Sequence, residues 1–202
     1  KAVDDGANII ILTDRGVDKE HAAIPALLAV SGLHQYMTRM RKRKNFSLIL
    51  ESGEPREVHH FAVLIGFGVS AINPYLAYET IADQIRRGFL QNISVEDAIT
   101  HYMKAAVKGI IKVLSKMGIS TIQSYQGAQI FEAIGIGNDV IDTYFTSTPS
   151  RIGGMDIDAI ARETNMRHLP AFAVNSPDTG LEAGGIYQWR KDGEYHLFNP
   201  MT

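Results

Sequence analysis

Four short apolar runs in the first part of the chain are each followed by a stretch with helical spacing. Residues 8–12 form a continuous, β-branched run, typical of a strand buried on both faces, and the second run is residues 46–50. The other two runs are residues 69–73 and 119–123. Alternating strands and helices predict an α/β fold with mostly parallel βα units and right-handed crossovers. Four units are too few for a closed eight-stranded barrel, so we expect an open sheet or a partial, barrel-like layer.

The helical stretches are marked by apolar residues three and four positions apart. The clearest begins with a capping-box-like segment at Ser94 and is expected to end at Gly118, a residue suited to the left-handed conformation. The predicted helices cover residues 21–40, 55–66, 74–87, 94–117, 128–134 and 156–167.

The pattern changes after about residue 135, and beyond the helix at 156–167 Gly, Pro and Asn become frequent. We therefore predict a βα core over residues 1–135 and a looser connecting arm over residues 136–202. Besides the helix, the arm is expected to contain a β-hairpin within residues 186–198, turning at a Gly-containing segment.

The composition excludes several classes of function. With 20 basic and 22 acidic residues the net charge is −2, which gives no electrostatic reason to expect nucleic acid or a membrane as partner. The chain has no cysteine, so it offers no thiolate to a catalytic, zinc or iron–sulfur site. No apolar stretch reaches the ~18–20 residues of a membrane span. The chain starts at Lys1 with neither a starting Met nor a signal peptide, so we expect an excised or processed segment. The absence of cysteine fits a cytosolic origin.

Polar side chains follow the predicted strands where each strand ends. Because the carboxyl ends of parallel strands meet at one edge of a sheet, these side chains are expected to form a polar rim. Such a rim could hold a polar ligand, a channel or a domain interface, or it could be a hydrogen-bonded network that joins loops. Its members are Asp14, Arg15, Glu51, Ser52, Asn73, Gln123 and Ser124, with Arg56, His59 and His60 at the start of the following helix.

The adjacent pair His59 and His60 suggests a metal or a proton-transfer group. Neighbouring helical positions point about 100° apart, so the two rings would not easily share one metal ion. No HExxH motif accompanies them. Packing or hydrogen bonding is therefore the favoured interpretation of both histidines.

Two carboxylates of the rim and the nearby Glu54 could form an acid–base pair. Glu51 with Glu54 and Asp14 would supply the two groups that such chemistry needs. The alternative is that Glu51 pairs with Arg56 or with Arg15. The sequence favours this second interpretation.

Further motifs carry little information about function. Lys104, Lys108, Lys112 and Lys116 recur every four residues, which is typical of the solvated face of a helix or of a face turned to a phosphate or an acidic partner domain. The glycine pairs form neither a GxGxxG nor a Walker A motif, and no GxSxG motif is present.

Seven stretches, in order along the chain, together resemble the large, flavin-dependent glutamate synthase family. The resemblance is collinear and extends over essentially the whole chain. The stretches are LTDR at 12–15, LESGEPREVHHFA at 50–62, AINPYLA at 71–77, KVLSKMGIST at 112–121, SYQGAQIF at 124–131, SRIGG at 150–154 and YQWR at 187–190.

The resemblance implies a place within a multidomain enzyme. In the family, an amidotransferase domain with an N-terminal cysteine is followed by a central domain, an FMN-binding barrel with an iron–sulfur cluster, and a β-helix. Ammonia from glutamine crosses an internal tunnel and condenses with 2-oxoglutarate, and reduced FMN delivers a hydride. This chain resembles the later part of the central domain and the segment leading into the barrel.

The resemblance transfers no catalytic, cofactor-binding or metal-binding residue to this chain, and FMN and the iron–sulfur cluster would belong to the parent enzyme. It implies the amidotransferase and FMN-barrel domains of the same polypeptide as partners, with a NADPH-oxidising subunit or ferredoxin as electron source. The location would be the cytoplasm, or the plastid stroma in a plant. The rim residues left as interface or tunnel-adjacent candidates are Asp14, Arg15, Glu51, Arg56, His59, His60 and Asn73.

Three hypotheses on function follow. The first is a structural and ammonia-channelling piece of glutamate synthase that is inactive alone. The second is an autonomous small enzyme that uses Asp14, Glu51 and the histidine pair as acid–base groups. The third is a flavin-binding module, against which stands the missing phosphate-binding glycine motif.

Overall fold

The structure, a computed structural model, describes residues 1–173, 185 and 188–202. The described residues form five short strands and seven helices, with one 3₁₀ turn at Arg43–Asn45. Strands and helices alternate except that α3, α4 and α5 follow one another. The strands are β1 Ile9–Thr13, β2 Ser47–Glu51, β3 Ala71–Asn73, β4 Ala133–Ile136 and β5 Ser150–Met155. The helices are α1 Ala26–Arg39, α2 Val58–Gly66, α3 Tyr75–Arg86, α4 Val95–Lys116, α5 Ile122–Tyr125, α6 Asn138–Tyr144 and α7 Ile157–Ala171.

The first sheet has the order β1–β2–β3 with all strands parallel, which confirms the predicted α/β class. Consecutive parallel strands with right-handed crossovers place the connecting helices on one face. The core on that face packs strand residues Leu48 and Leu50 against Val30 of α1 and Leu64 of α2. On the opposite face of β1, Ile9 and Ile11 are 54% and 59% exposed. The sheet is therefore a layer covered on one side only, and the expectation that the strand at residues 8–12 is buried on both faces is wrong.

A second, two-stranded parallel sheet joins β4 to β5. A smaller core of Val140, Ile141 and Phe145 lies beneath it and also contacts α1. The buried hydroxyl of Ser31 in α1 donates to the carbonyl oxygen of Tyr144 at 2.5 Å. This bond fixes the second unit to the first.

Several predicted helices are confirmed. The hydroxyl of Ser94 accepts a hydrogen bond from the amide of Asp97 at 3.0 Å, and Gly118 has φ +69° just beyond the end of α4. The helix predicted from residue 21 begins only after Pro25, because proline at that point has no amide hydrogen and extended backbone angles. Likewise, α2 begins at Val58, later than the predicted start at residue 55.

Two predictions between residues 119 and 134 are wrong. Residues 119–123 do not form a strand, because the hydroxyl of Thr121 accepts from the amide of Ser124 and starts the short helix α5. Residues 128–134 do not form a helix. The left-handed φ of +54° at Gln129 interrupts any helix, and long-range pairing of β4 with β5 overrides the local pattern.

The arm is partly described. Residues 156–167 are helical as predicted, with Asp156 as the N-cap of α7, whereas β5 was not predicted. In the predicted hairpin, residues 194–198 do not form a strand, and residues 186 and 187 lie outside the described residues. The division at residue 135 stays a prediction. None of the described helices is long and apolar enough to cross a membrane.

Candidate functional site

Three strand ends meet in one row at the carboxyl edge of the first sheet. In the register, Thr13 of β1 faces Glu51 of β2, and Glu51 faces Asn73 of β3. The predicted common edge for Asp14, Glu51 and Asn73 is therefore confirmed. The prediction is wrong for Gln123, which lies in α5 outside the sheet, together with its neighbour Ser124.

Glu51 is the centre of a hydrogen-bonded network on the open face of the sheet. Its Oε1 accepts from Arg15 Nε at 2.9 Å and from Asn73 Nδ2 at 3.2 Å, while its Oε2 accepts from Thr13 Oγ1 at 2.8 Å. The hydrogen bond from Arg15, followed by that from Thr13, holds the pKa of Glu51 below its ordinary value. Of its two predicted partners, Glu51 pairs with Arg15. A carboxylate held ionised in this way is poorly suited to proton transfer near neutral pH.

Arg15 connects this network to α3. Its guanidinium lies 3.9 Å from the ring centroid of Tyr75, and its Nη1 reaches Glu79 Oε1 at 3.5 Å. Arg15 therefore joins the ends of β1 and β2 to the first turns of α3 through one cation–π contact and two ion pairs.

Asp14 organises the loop after β2. Its Oδ2 accepts from Ser52 Oγ at 2.6 Å and from the amide of Gly53 at 2.9 Å, and Ser52 is buried. Burial, followed by a hydrogen bond with Asp14, raises the pKa of Tyr75 to about 12. Glu54 extends the loop to α1 by accepting from the amide of Ala26 at 2.9 Å. Partial burial raises the pKa of Glu54.

The two predicted histidines have structural contacts. His60 Nδ1 accepts from the amide of Arg56 at 3.3 Å, and burial lowers the pKa of His60. The ring of His59 stands edge-on to Phe131, with centroids 6.2 Å apart. In the described part of the chain, no three His, Cys, Asp or Glu side chains are grouped closely enough to hold a metal ion.

A cavity of about 990 Å³ opens on the helix-covered side of the sheet edge. Side-chain direction alternates along a strand, so the rim divides between two faces. Asp14 lines the cavity, whereas Arg15, Glu51 and Asn73 do not. The other predicted rim residues on its wall are Arg56, His59 and His60.

The cavity wall also contains residues that the sequence analysis missed. Arg167 and His168 come from α7, and Tyr75 comes from the start of α3. Tyr75 lies just beyond the end of β3 and could have been found by the rule that identified Asn73. The α7 residues gave no such signal, because they reach the cavity through tertiary packing. The remaining wall is largely aliphatic and aromatic, including Val63, Leu64 and Phe67.

Comparison with known proteins matches residues 1–137 to the family described as the glutamate synthase central domain. The chain is 52% identical over its whole length to the large chain of glutamate synthase [NADPH] from Bacillus subtilis. It is 40% identical, also over its whole length, to glutamate synthase [NADH] from Saccharomyces cerevisiae. Over 99% of its length it is 42% identical to the chloroplastic ferredoxin-dependent glutamate synthase 2 from Arabidopsis thaliana.

The chain spans only 13%, 10% and 13% of the lengths of these three relatives. The matched region includes β1 to β3 with the Arg15–Glu51–Asn73 network and the loop held by Asp14. The chain therefore belongs to the glutamate synthase family, and its residues 1–137 correspond to part of that enzyme's central domain.

Proposed function

We propose that this chain is a structural and ammonia-channelling piece of glutamate synthase that has no catalytic activity alone. The observation that carries the proposal is the separation of the rim into two parts. Glu51 is fully engaged by Arg15, Asn73 and Thr13, as a scaffold residue would be. Beside this network lies a largely apolar cavity. Walls that are packed and mostly apolar exclude water and suit the passage of neutral ammonia.

In the whole enzyme, the amidotransferase and FMN-barrel domains would be the neighbours of this chain. Electrons would come from a NADPH-oxidising subunit or from ferredoxin, as the names of the relatives suggest. The enzyme would work in the cytoplasm, or in the plastid stroma of a plant. Asp14, Arg56, His59 and His60 would face the channel, and Arg15, Glu51 and Asn73 would fix the loops around it.

The cavity does not fit FMN. The glycine that follows β2, Gly53, donates its amide to Asp14 instead of offering it to a phosphate. A side chain at Gly53 would touch Leu76 and Tyr75, so the loop is packed on its other side. The α2 helix that follows begins after Glu57, an acidic residue that would repel a phosphate. A flavin site would have to be formed by residues elsewhere in the enzyme.

The channelling proposal is tested in the full-length enzyme by filling the cavity. Val63→Trp places a large ring on the cavity wall, and Ile9→Trp is the matched control on the open face of the sheet. We expect Val63→Trp to raise the glutamine hydrolysed per glutamate formed, while activity with added ammonium is kept. If both variants hydrolyse the same amount of glutamine per glutamate formed, and thermal melting shows that both are folded, the proposal is contradicted.

A second measurement addresses the flavin-binding alternative. FMN is titrated into the 202-residue chain and the flavin fluorescence is followed. We expect no saturable change. Tight, saturable binding would show that these residues form a flavin site by themselves and would contradict the proposal.

A further inference from the structure

The outer face of α4 carries a ridge of exposed aliphatic side chains. The helix packs on α2 and α3, with Ala98 and Leu114 buried. On the side turned away from them, Met103, Val107 and Ile111 are 42%, 54% and 60% exposed. Residues four apart lie above one another on a helix, so these three side chains form one continuous ridge about 12 Å long.

A second ridge of positive charge runs beside the first. Lys104, Lys108, Lys112 and Lys116 follow the same four-residue spacing, and no acidic residue occurs between 98 and 121. None of these four lysines forms an ion pair with a described residue. Like charges four residues apart repel and destabilise an isolated helix. Helix stability therefore does not explain the arrangement, and an external acidic group would offset the repulsion.

The two ridges define the chemistry of a protein surface that could bind to this face of α4. The matching surface needs aliphatic residues opposite Met103 to Ile111 and carboxylates along a line about 18 Å long opposite Lys104 to Lys116. A second copy of the chain fits poorly, because a symmetric contact through this face would bring lysines against lysines. A lipid surface also fits poorly, because the ridge has no Trp or Phe side chain to enter a bilayer interface.

We propose that this α4 face docks onto an acidic, aliphatic-edged surface belonging to another domain of the full-length glutamate synthase polypeptide. The relatives named above are several times longer than this chain, which spans 10% to 13% of them, so most of the polypeptide is available to supply that surface. Aliphatic contact would supply most of the affinity, and the lysine row would fix the orientation of the docked domain. This proposal does not depend on the channelling role of the cavity.

Zero-length carbodiimide cross-linking of the full-length enzyme, followed by peptide mapping, tests the proposal. The contact between Lys42 and Asp4 within this chain is the internal positive control. We expect cross-links from Lys108 and Lys112 to Asp or Glu residues of another domain in the same polypeptide. Cross-links only to a second copy or to a separate protein, or none while the Lys42–Asp4 link forms, would overturn it.

Oxidative footprinting of Met103 supplies an independent readout. Met103 should be oxidised in the 202-residue chain and lose that reactivity in the full-length enzyme. Lys108→Glu with Lys112→Glu should restore oxidation, whereas the matched pair Lys108→Arg and Lys112→Arg should not. Met103 that is equally reactive in both proteins would show that nothing covers the face. Binding of the full-length enzyme to anionic vesicles, abolished by the glutamate pair, would assign the face to a membrane and overturn the proposal.

Discussion

Tyr125 is a fully buried side chain that fixes the short helix α5 to α2. Its hydroxyl donates to the carbonyl oxygen of Ala62 at 3.0 Å, and its ring stands edge-on to Phe131 with centroids 6.4 Å apart. A buried hydroxyl with a good acceptor stabilises the folded state, whereas the same hydroxyl without one would destabilise it. The Tyr125 hydroxyl is therefore one of the donors that hold α5 against α2, beside the Gln126 side chain, which donates to the carbonyl oxygen of Val69 at 2.8 Å.

Replacing Tyr125 with Phe should remove this hydrogen bond and keep the packing of the ring. We expect the free energy of unfolding to fall by about 1 kcal/mol. Denaturant unfolding of the purified chain measures the change, and Tyr195→Phe, at a fully exposed position, is the control. A loss no larger than that of the control would show that the hydroxyl contributes nothing.

His34 gives the fold a dependence on pH. Its Nδ1 accepts from Arg43 Nε at 3.1 Å, and Arg43 also donates to the carbonyl oxygens of Phe46 and Gly68. Burial, followed by the charge of Arg43, lowers the pKa of His34 from the ordinary 6.5. The folded state therefore favours the neutral ring. Stability from this group is fully present above about pH 6.5 and is lost as the pH falls through the lowered pKa.

The His34→Gln variant tests this dependence, because glutamine keeps a hydrogen-bond acceptor and does not titrate. We expect the loss of unfolding free energy between about pH 7.5 and 5.5 to be smaller in the variant than in the native chain. Denaturant titrations at several pH values measure both slopes. If the unfolding free energy changes with pH equally in the variant and the native chain, the pH dependence comes from other histidines.

The elements of the first sheet illustrate what local patterns can predict. β1, β2, α3 and α4 were found because each has its own apolar run or cap, and their order then fixed the edge shared by Glu51 and Asn73. β4 and β5 were missed because their stability comes from pairing with each other, and glycine-containing segments show no β-branched pattern. Asp14 and Glu51 lie on opposite faces of the sheet because side-chain direction alternates and each strand ends at a particular residue. An apolar pattern locates the end of a strand less reliably than it locates the strand.

The contact between α2 and α4 depends on a glycine. A Cβ atom at Gly109 would lie 2.3 Å from Val58 Cγ2 and 2.8 Å from Val58 Cγ1, so the two helices approach where no side chain fits. Alanine normally favours a helix interior over glycine by about 1 kcal/mol. Here the steric clash outweighs that preference.

We expect Gly109→Ala to lower the free energy of unfolding by about 1–3 kcal/mol, the usual cost of overpacking. Val58→Ala in the same chain should recover part of the loss, since it removes the two methyl groups that collide. A double-mutant cycle by denaturant unfolding measures the coupling. Additive effects of the two substitutions would mean that the helices separate instead of clashing.

At the scale of the whole molecule, apolar side chains are buried to different extents in the helices beside the first sheet and beside the second sheet. α2 has three buried core residues, Phe61, Ala62 and Leu64, whereas α7 has none. In α7, Met166 and Leu169 are 73% and 63% exposed. Local opening requires little free energy where few apolar contacts are lost. α7 lies in the arm predicted over residues 136–202, and the docking of this arm on neighbouring domains stays a prediction.

Hydrogen exchange measures this contrast directly. In the 202-residue chain we expect the amides of α7 to exchange faster than those of α2, and in the full-length enzyme the α7 amides should slow. Mass spectrometry of labelled peptides separates the two helices. Equal protection in the isolated chain would indicate one cooperative unit.

The bond between Ser31 and Tyr144 has a consequence for synthesis on the ribosome. The two residues are 113 positions apart, so at about 5–20 residues per second α1 leaves the ribosome roughly 6–23 s before α6 does. A helix forms in about a microsecond, far faster than this interval. During this interval, the side of α1 that will contact α6 is exposed to solvent. Translation rate and chaperone binding during this interval would then influence the yield of folded enzyme.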